Sequence, residues 1–221
     1  MSGRLNRYPA KAIVFLITVA LVVAMGGCPG GYNPPPSQNL EIRTWYDLDA
    51  IRDNLAGNHT LMNDLNSTTP GYYELASPTA DGGKGWDPII GPFITNIGLV
   101  GFRGTFDGQR YEIRDLFINR PDENYIGLFG YVDEVGYIEN INVVNMNVTG
   151  GMAVGGMTGG NSGIVSTCYS TGSVSGNDRS VGGLVGQSSG TISSSYSNCN
   201  VSGDYRVGGL VGENDGTVSN S

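Results

Sequence analysis

Val181-Gly-Gly-Leu-Val-Gly186 recurs as Val207-Gly-Gly-Leu-Val-Gly212. Val154-Gly-Gly-Met-Thr-Gly159 stands at nearly the same interval before the first copy, and the shorter Gly127-Leu-Phe-Gly130 and Gly98-Leu-Val-Gly101 continue the series at slightly wider steps. A fixed period in this range marks a solenoid, in which one structural unit stacks on its own copy. The rest of the unit repeats too: Gly163 to Gly176 aligns with Gly190 to Gly203, which places Val165 over Ile192, Tyr169 over Tyr196 and Val174 over Val201. Short β-branched pieces separated by Gly, Asn, Asp and Ser, with no helical period, are strand and turn chemistry.

Units of about 26 to 29 residues suit one coil of a parallel β-helix with two or three short strands per coil, in an all-β fold. Stacked copies bring like side chains about 4.8 Å apart, as apolar ladders inside and Ser and Asn ladders beside them. Leu184 and Leu210 belong to the apolar set. The glycines Gly155, Gly156, Gly182, Gly183, Gly186, Gly208, Gly209 and Gly212 either supply positive φ angles at corners or let the backbone pass close to a neighbouring coil. A Gly-rich flexible linker would not keep apolar residues in register. Propeller blades need about 40–50 residues, more than this period allows.

Four segments are expected: a targeting segment over 1–27, a Pro-rich tether over 28–40, a cap helix and first strand over 41–66, and the repeats over 67–221. The first has a basic start (Arg4, Arg7, Lys11) and an apolar run, Ala12 to Met25, too short for a typical membrane span. It ends in Met25-Gly-Gly-Cys28, which resembles a bacterial lipobox. That resemblance implies cleavage before Cys28, a diacylglycerol on its thiol, and, with Pro29 rather than Asp next, the outer membrane or cell surface. The net charge is −8, and loss of Arg4, Arg7 and Lys11 takes it to −11. Such a chain lacks the basic surface that nucleic acid needs.

Thr44 and Asp47 form a predicted capping box, and Trp45, Leu48, Ile51 and Leu55 then fall on one face of a helix of about three turns, stopped by Gly57. Its expected role is to cover the first coil, whose open edge would otherwise invite aggregation. Leu61 to Leu65 and Tyr72 to Leu75 read as first strands, with turns at Gly85 to Gly91 and Phe102 to Gly108. The segments Leu48 to Gly57, Leu61-Met-Asn-Asp64, Gly85-Trp-Asp-Pro-Ile-Ile-Gly91, Gly104-Thr-Phe-Asp-Gly108, Ile126 to Gly130 and the Gly-Gly-Leu-Val-Gly copies together resemble the GLUG-repeat surface proteins. The resemblance covers residues 41–221 and implies a right-handed β-helix on the cell surface, accessory to other domains and without catalytic residues of its own.

No cofactor motif, HExxH or nucleophile elbow is present. His59, the single histidine, reads as an ordinary turn or surface residue. Arg103, Asp107, Arg110 and Asp115, with Glu112, are the best candidates for a ligand face or for carboxylate catalysis, though corner roles explain them as well. The acidic pairs Asp122/Glu123 and Asp133/Glu134 lack any calcium-loop pattern, so no metal is expected. Stacked Tyr169 and Tyr196 suit either inward packing or a sugar platform. Cys168 aligns with Ser195 and Cys199 with Gly172; that stagger favours free thiols.

These readings converge on a lipid-anchored surface scaffold for adhesion or for glycan or protein ligands. The alternatives are a carbohydrate-active β-helix enzyme and the non-catalytic part of a longer surface peptidase or adhesin. The last repeat stops in mid-unit at Ser221, which leads to an expectation of further coils or a capping partner.

Overall fold

The short β-branched runs pair with their own copies one coil away, not with their neighbours in sequence. In the structure, a computed structural model that describes residues 39–91, 93–94 and 98–221, four stacked faces result. Face A stacks Leu40–Ile42, Asn58–Leu61, Thr105–Asp107, Tyr137–Glu139, Ile164–Ser166, Thr191–Ser193 and Thr217–Ser219. Face B stacks Glu112–Arg114 and Phe117–Arg120, then Asn142–Gly150, Tyr169–Gly176 and Tyr196–Ser202. Face C holds Val154–Gly155, Arg179–Gly182 and Tyr205–Gly208, and face D holds Phe129–Val132, Thr158–Asn161, Val185–Ser188 and Val211–Asn214. All four are parallel, so the chain is a parallel β-solenoid. The targeting segment, Cys28 and most of the tether lie outside the described residues.

Each regular coil runs A, B, C, D. On face A, Ile138 lies against Val165, Val165 against Ile192 and Ile192 against Val218, so the register steps by one sequence repeat per coil. The ladders are those read from the repeats: Val165 on Ile192, Val174 on Val201, Val181 on Val207. Their lower members are fully buried, as are Met157 and Leu184. The regular coils have four strands, not two or three, because the Gly pair bends the chain between Arg179–Gly182 and Val185–Ser188.

Those repeat glycines, Gly209 in the last coil apart, act by close approach, not by positive φ, which none of them adopts. A Cβ on Gly182 would overlap the carbonyl oxygen of Val185 and lie 2.6 Å from the Gly212 nitrogen in the next coil. One on Gly186 would meet Val154 N at 2.5 Å and Gly159 O at 2.6 Å. Faces C and D are therefore pinched together, backbone against backbone. Left-handed residues fall elsewhere; one column of them, Asn140, Thr167, Ser194 and Asn220, stands at the corner from face A to face B with φ between 48° and 55°. Unbranched polar side chains hold three of the four places; Thr167 takes the conformation despite its branched Cβ.

The amino-terminal region departs from the repeat. Thr44 and Asp47 form the expected capping box, but the α-helix covers only Trp45–Asp49 and tightens to a 3-10 turn over Ala50–Asp53. In that tighter winding residues three apart align, and Arg52 Nε binds Asp49 Oδ1 at 2.7 Å. Trp45, Leu48 and Ile51 are fully buried, with the Trp45 ring 5.7 Å from that of Trp86. Tyr72–Leu75 is a helical turn and not a strand. Gly71 precedes it at φ 91°, where a Cβ would press on Trp45, and the Tyr72 hydroxyl reaches the Asp115 carbonyl at 3.0 Å. Those contacts override the strand preference of two tyrosines.

Gly98 to Gly101 is not a stacked copy. Gly98–Leu99 pairs antiparallel with Phe93–Ile94, and Ile89 and Phe102 take the places beneath Phe129 and Val132. The chain between them is an insertion. A second fixture is Arg120, which is 4% exposed. It donates to Asp81 Oδ2 at 2.7 Å, the Trp86 carbonyl at 3.0 Å and Glu123 Oε1 at 3.2 Å, tying residues 81–87 to face B. Lys84 and Arg120 hold the Glu123 carboxyl below its ordinary range, against the opposing effect of its partial burial.

Gly182→Ala should cost upwards of about 2 kcal/mol, because backbone must move. Gly209→Ala in the last coil, where a Cβ meets nothing within 4 Å, should cost less than about 0.5 kcal/mol. Urea titration of the two variants measures the difference; equal costs would remove the close-approach explanation.

Candidate functional site

The clearest built feature lies on face B, where the ladder is interrupted. Val143 pairs with Ser170 and Met146 with Gly172, so the lower strand carries one extra residue, a β-bulge at Val144 and Asn145. Asp115 (φ 62°), Asn145 (φ 56°) and Gly172 (φ 126°) form the left-handed column at this bend. Asn145 is fixed on both sides: its backbone donates to Thr171 Oγ1 at 3.0 Å and its side-chain amide to Asp115 Oδ1 at 2.7 Å. A Cβ on Gly172 would overlap the Met146 carbonyl, so glycine is required there for space and φ alike.

The helical turn Tyr72–Leu75 and the residues around it stand beside this bulge and make it a groove. Its volume is about 790 Å³, bounded by Tyr72, Tyr73, Ser77, Pro78 and Thr79 on one side and by Asp115, Asn145, Asn147 and Ser173 on the other. Tyr73 is 68% exposed. Burial and the nearby Asp115 carboxylate push the Tyr72 phenol above its usual range, so it stays a neutral hydroxyl, donating to the Asp115 carbonyl.

Tyr169 and Tyr196 occupy the same face. Their rings are 4.3 Å apart and tilted by 31°, and Tyr196 is 60% exposed. They face outward and do not pack inside. Around them the outward positions of the upper three coils are Asn142, Val144, Thr171, Asn198, Asn147, Ser173, Asn200, Thr149, Ser175 and Ser202, none of them charged. The charged residues of this face are in its lowest rung, where Glu112 is paired with Arg114, and at Asp115.

The sequence-derived candidates are not brought together. Arg103 pairs with Asp133 at 2.6 Å. Asp107 accepts from the Gln109 backbone at 2.9 Å and from Asn140 Nδ2 at 3.2 Å, bracing a corner. Arg110 is an exposed residue of that same corner, with φ 68°. Asp115 alone of the four lines the groove. Glu123 is taken by Lys84 and Arg120. No group of three or more His, Cys, Asp and Glu among the described residues is placed to hold a metal. Cys168 and Cys199 are both free. Cys168 is buried, which pushes its thiol up to about 12, and its backbone N–H donates to the hydroxyl of Ser195, the residue opposite it in the repeat. No helix among the described residues is long and apolar enough to cross a membrane.

Tyr73, Asn145 and Asn147 are groove residues that the repeat pattern missed. For the two asparagines the signal is a count, since Asn142–Gly150 has nine residues where Tyr169–Gly176 has eight; Tyr73 has none.

His59 is neither a turn nor a surface residue. It lies in Asn58–Leu61, 1% exposed, accepting from the Leu40 N–H at Nδ1 (3.3 Å), so Nε2 carries the proton that reaches the Asn54 carbonyl at 3.0 Å. The reason is register: His59 sits opposite Phe106, an inward position.

No protein-family model matches the chain. Halomucin of Haloquadratum walsbyi is 35% identical over 147 residues, 66% of this chain but 2% of halomucin. A protein of Evansella cellulosilytica provisionally named a Gly-rich membrane protein is 38% identical over 129 residues, 56% of this chain and 13% of that one. The chain thus spans a small part of the relatives it matches. A crystal structure of a Bacteroides ovatus protein, provisionally an immunoglobulin A1 protease, shares the fold over 83% of this chain and 64% of its own, with a TM-score of 0.54 and 18% identity.

Burial holds the folded His59 pKa below its ordinary value, against the smaller opposing effect of its bond to Asn54. Its contribution to stability is therefore complete above about pH 6.5, the unfolded value, and declines as pH falls below it, because the unfolded chain then takes up a proton first. His59→Gln should lose less melting temperature than the parent chain between pH 7.5 and 5.5. Parallel losses in both proteins would contradict this assignment.

Proposed function

We propose that the chain is a GLUG-type, lipid-anchored β-solenoid of the cell envelope that binds neutral glycans on the outer side of face B and performs no catalysis. The observation that carries this reading is the exposed Tyr169–Tyr196 stack on an otherwise uncharged Asn, Ser and Thr surface, with the bulge groove on the same face. Aromatic rings offer flat apolar area to sugar C–H groups, and amides and hydroxyls match sugar hydroxyls in both donor and acceptor roles. A surface without basic charge is poorly suited to polyanions.

The groove's volume is in the range of small-ligand sites, and one of its sides, with Asn147 and Ser173, sits on stacked strands that hold it rigidly. The envelope address is supported by the Met25-Gly-Gly-Cys28 signal and by the name of the Evansella relative. The absence of catalysis is supported by the separate engagements of Arg103, Asp107 and Asp115. The same reading holds if these coils form one part of a longer surface protein.

One experiment with cells expressing the full chain tests both halves. Fluorescent neutral polysaccharides are bound to whole cells, alongside labelling with radioactive palmitate. Tyr169→Ala/Tyr196→Ala should lower apparent affinity about tenfold, equivalent to about 1.4 kcal/mol, while leaving the palmitate label intact. Cys28→Ala should remove the label and the cell-bound protein. Unchanged polysaccharide binding by the double tyrosine variant would end the glycan reading, and retained palmitate without Cys28 would end the anchor.

A further inference from the structure

Face D carries a smaller and more enclosed cavity. Its outward column reads Tyr131, Gly160, Gln187 and Glu213 from coil to coil. Gly160 is the member without a side chain, and two tyrosine rings use the space. A Cβ there would lie 2.7 Å from Tyr131 Cδ2 and 3.2 Å from Tyr125 Cδ1 and Cε1. The two rings meet edge to face, with centroids 6.0 Å apart and an 80° interplanar angle. Laid over the glycine, they form one wall of a cleft of about 140 Å³, whose other residues include Ser162 and, from the coil above, Gln187 and Ser189.

Three hydroxyls run along this cleft in a chain. The Tyr131 hydroxyl is 2.7 Å from Ser162 Oγ, and Ser162 Oγ is 2.9 Å from Ser189 Oγ. Three O–H groups joined by two hydrogen bonds leave one donor and several lone pairs unspent. The Gln187 side chain adds an amide, which donates and accepts. No charged residue lines the cleft. Its volume is well below the ~300 Å³ at which pockets for drug-sized ligands begin, so it admits one small ring and not a chain. Aromatic surface, clustered hydroxyls, an amide and the absence of charge together describe a partner that is neutral, cyclic and rich in hydroxyl groups.

We propose that the Tyr125–Tyr131–Gln187 cleft is a binding site for a single neutral pyranose ring. It uses a different face and different residues from the Tyr169–Tyr196 surface, and it stands or falls independently of that reading. Two separate sites on one rigid solenoid would let a branched or multivalent glycan gain avidity without any change of shape.

Saturation-transfer NMR on the full chain with methyl glucoside, galactoside, mannoside and N-acetylglucosaminide tests the site, with tetramethylammonium as the control for an aromatic cation cage. At least one glycoside should receive saturation. Tyr125→Ala and the more peripheral Gln187→Ala should each weaken it about tenfold, with melting temperature confirming that the fold survives. Every chain in this series carries Tyr169→Ala/Tyr196→Ala, so that sugar held on face B does not contribute to the signal. The proposal is overturned if no glycoside binds, if binding survives both Tyr125→Ala and Gln187→Ala, or if tetramethylammonium binds and the glycosides do not.

Discussion

The constraint on which this solenoid rests is the contact of bare backbone with bare backbone where faces C and D meet. Gly182 fits against Val185 and against Gly212 of the following coil with no room for one more carbon, and Gly155 is placed likewise against Thr158 and Gly186. Because the two faces touch there, the apolar side chains of faces A and B, and Leu184 at the bend, need only fill a narrow interior. Val, Ile and Ser suffice in the upper coils. The motif Val-Gly-Gly-Leu-Val-Gly is thus a spatial requirement written out once per turn: Val and Leu inward, glycine where the chain meets itself. That explains a chain with 36 glycines that still forms an ordered core.

The lower coils solve a different problem. There the interior widens to hold Trp45, Trp86, Phe102, Phe106 and Phe129. Register partners move further apart in sequence than one repeat, modestly from Phe106 to Ile138 and much more from His59 to Phe106. The extra residues are insertions that leave the solenoid and return. Arg120 fixes one of them by satisfying carboxylates and carbonyls together, and Arg52 reaches the Asp87 and Pro88 carbonyls from the 3-10 turn Ala50–Asp53. A buried guanidinium fixes the loop in place, because losing one of its partners would leave buried charge uncompensated. The groove on face B exists because that ordered insertion stands beside a bulged strand.

Legibility in the sequence follows the same division. Wherever the structure repeats, the sequence repeats, and the pairing of Val165 with Ile192, the facing of Cys168 and Ser195 and of Cys199 and Gly172, and the buried ladders could all be read by alignment. The capping box was legible because it is a local hydrogen-bond pattern. Tyr72–Leu75, Gly98–Leu99, the burial of His59 and the Arg120 cluster were not, since each depends on tertiary contacts made once in the chain, with no second copy to align. The site was half legible: the tyrosine stack was visible as a repeat, but its exposure was not, and the groove appears only as one surplus residue in Asn142–Gly150. Of the charged candidates, Asp107 braces a corner, the role that the sequence offered beside a ligand face, and Arg103 is held by Asp133.

The most direct test of the stacking register is a cross-linking scan across face B in a Cys28→Ser/Cys199→Ser background, where the remaining Cys168 is buried. Cysteines at Ser173 and Asn200, which face each other in adjacent coils, should join through a short bifunctional thiol reagent. Cysteines at Ser173 and Ser202, or at Ser173 and Asn198, should join far less. Preferential coupling of either offset pair would mean that the coils are not stacked in the register on which every ladder and both surfaces depend.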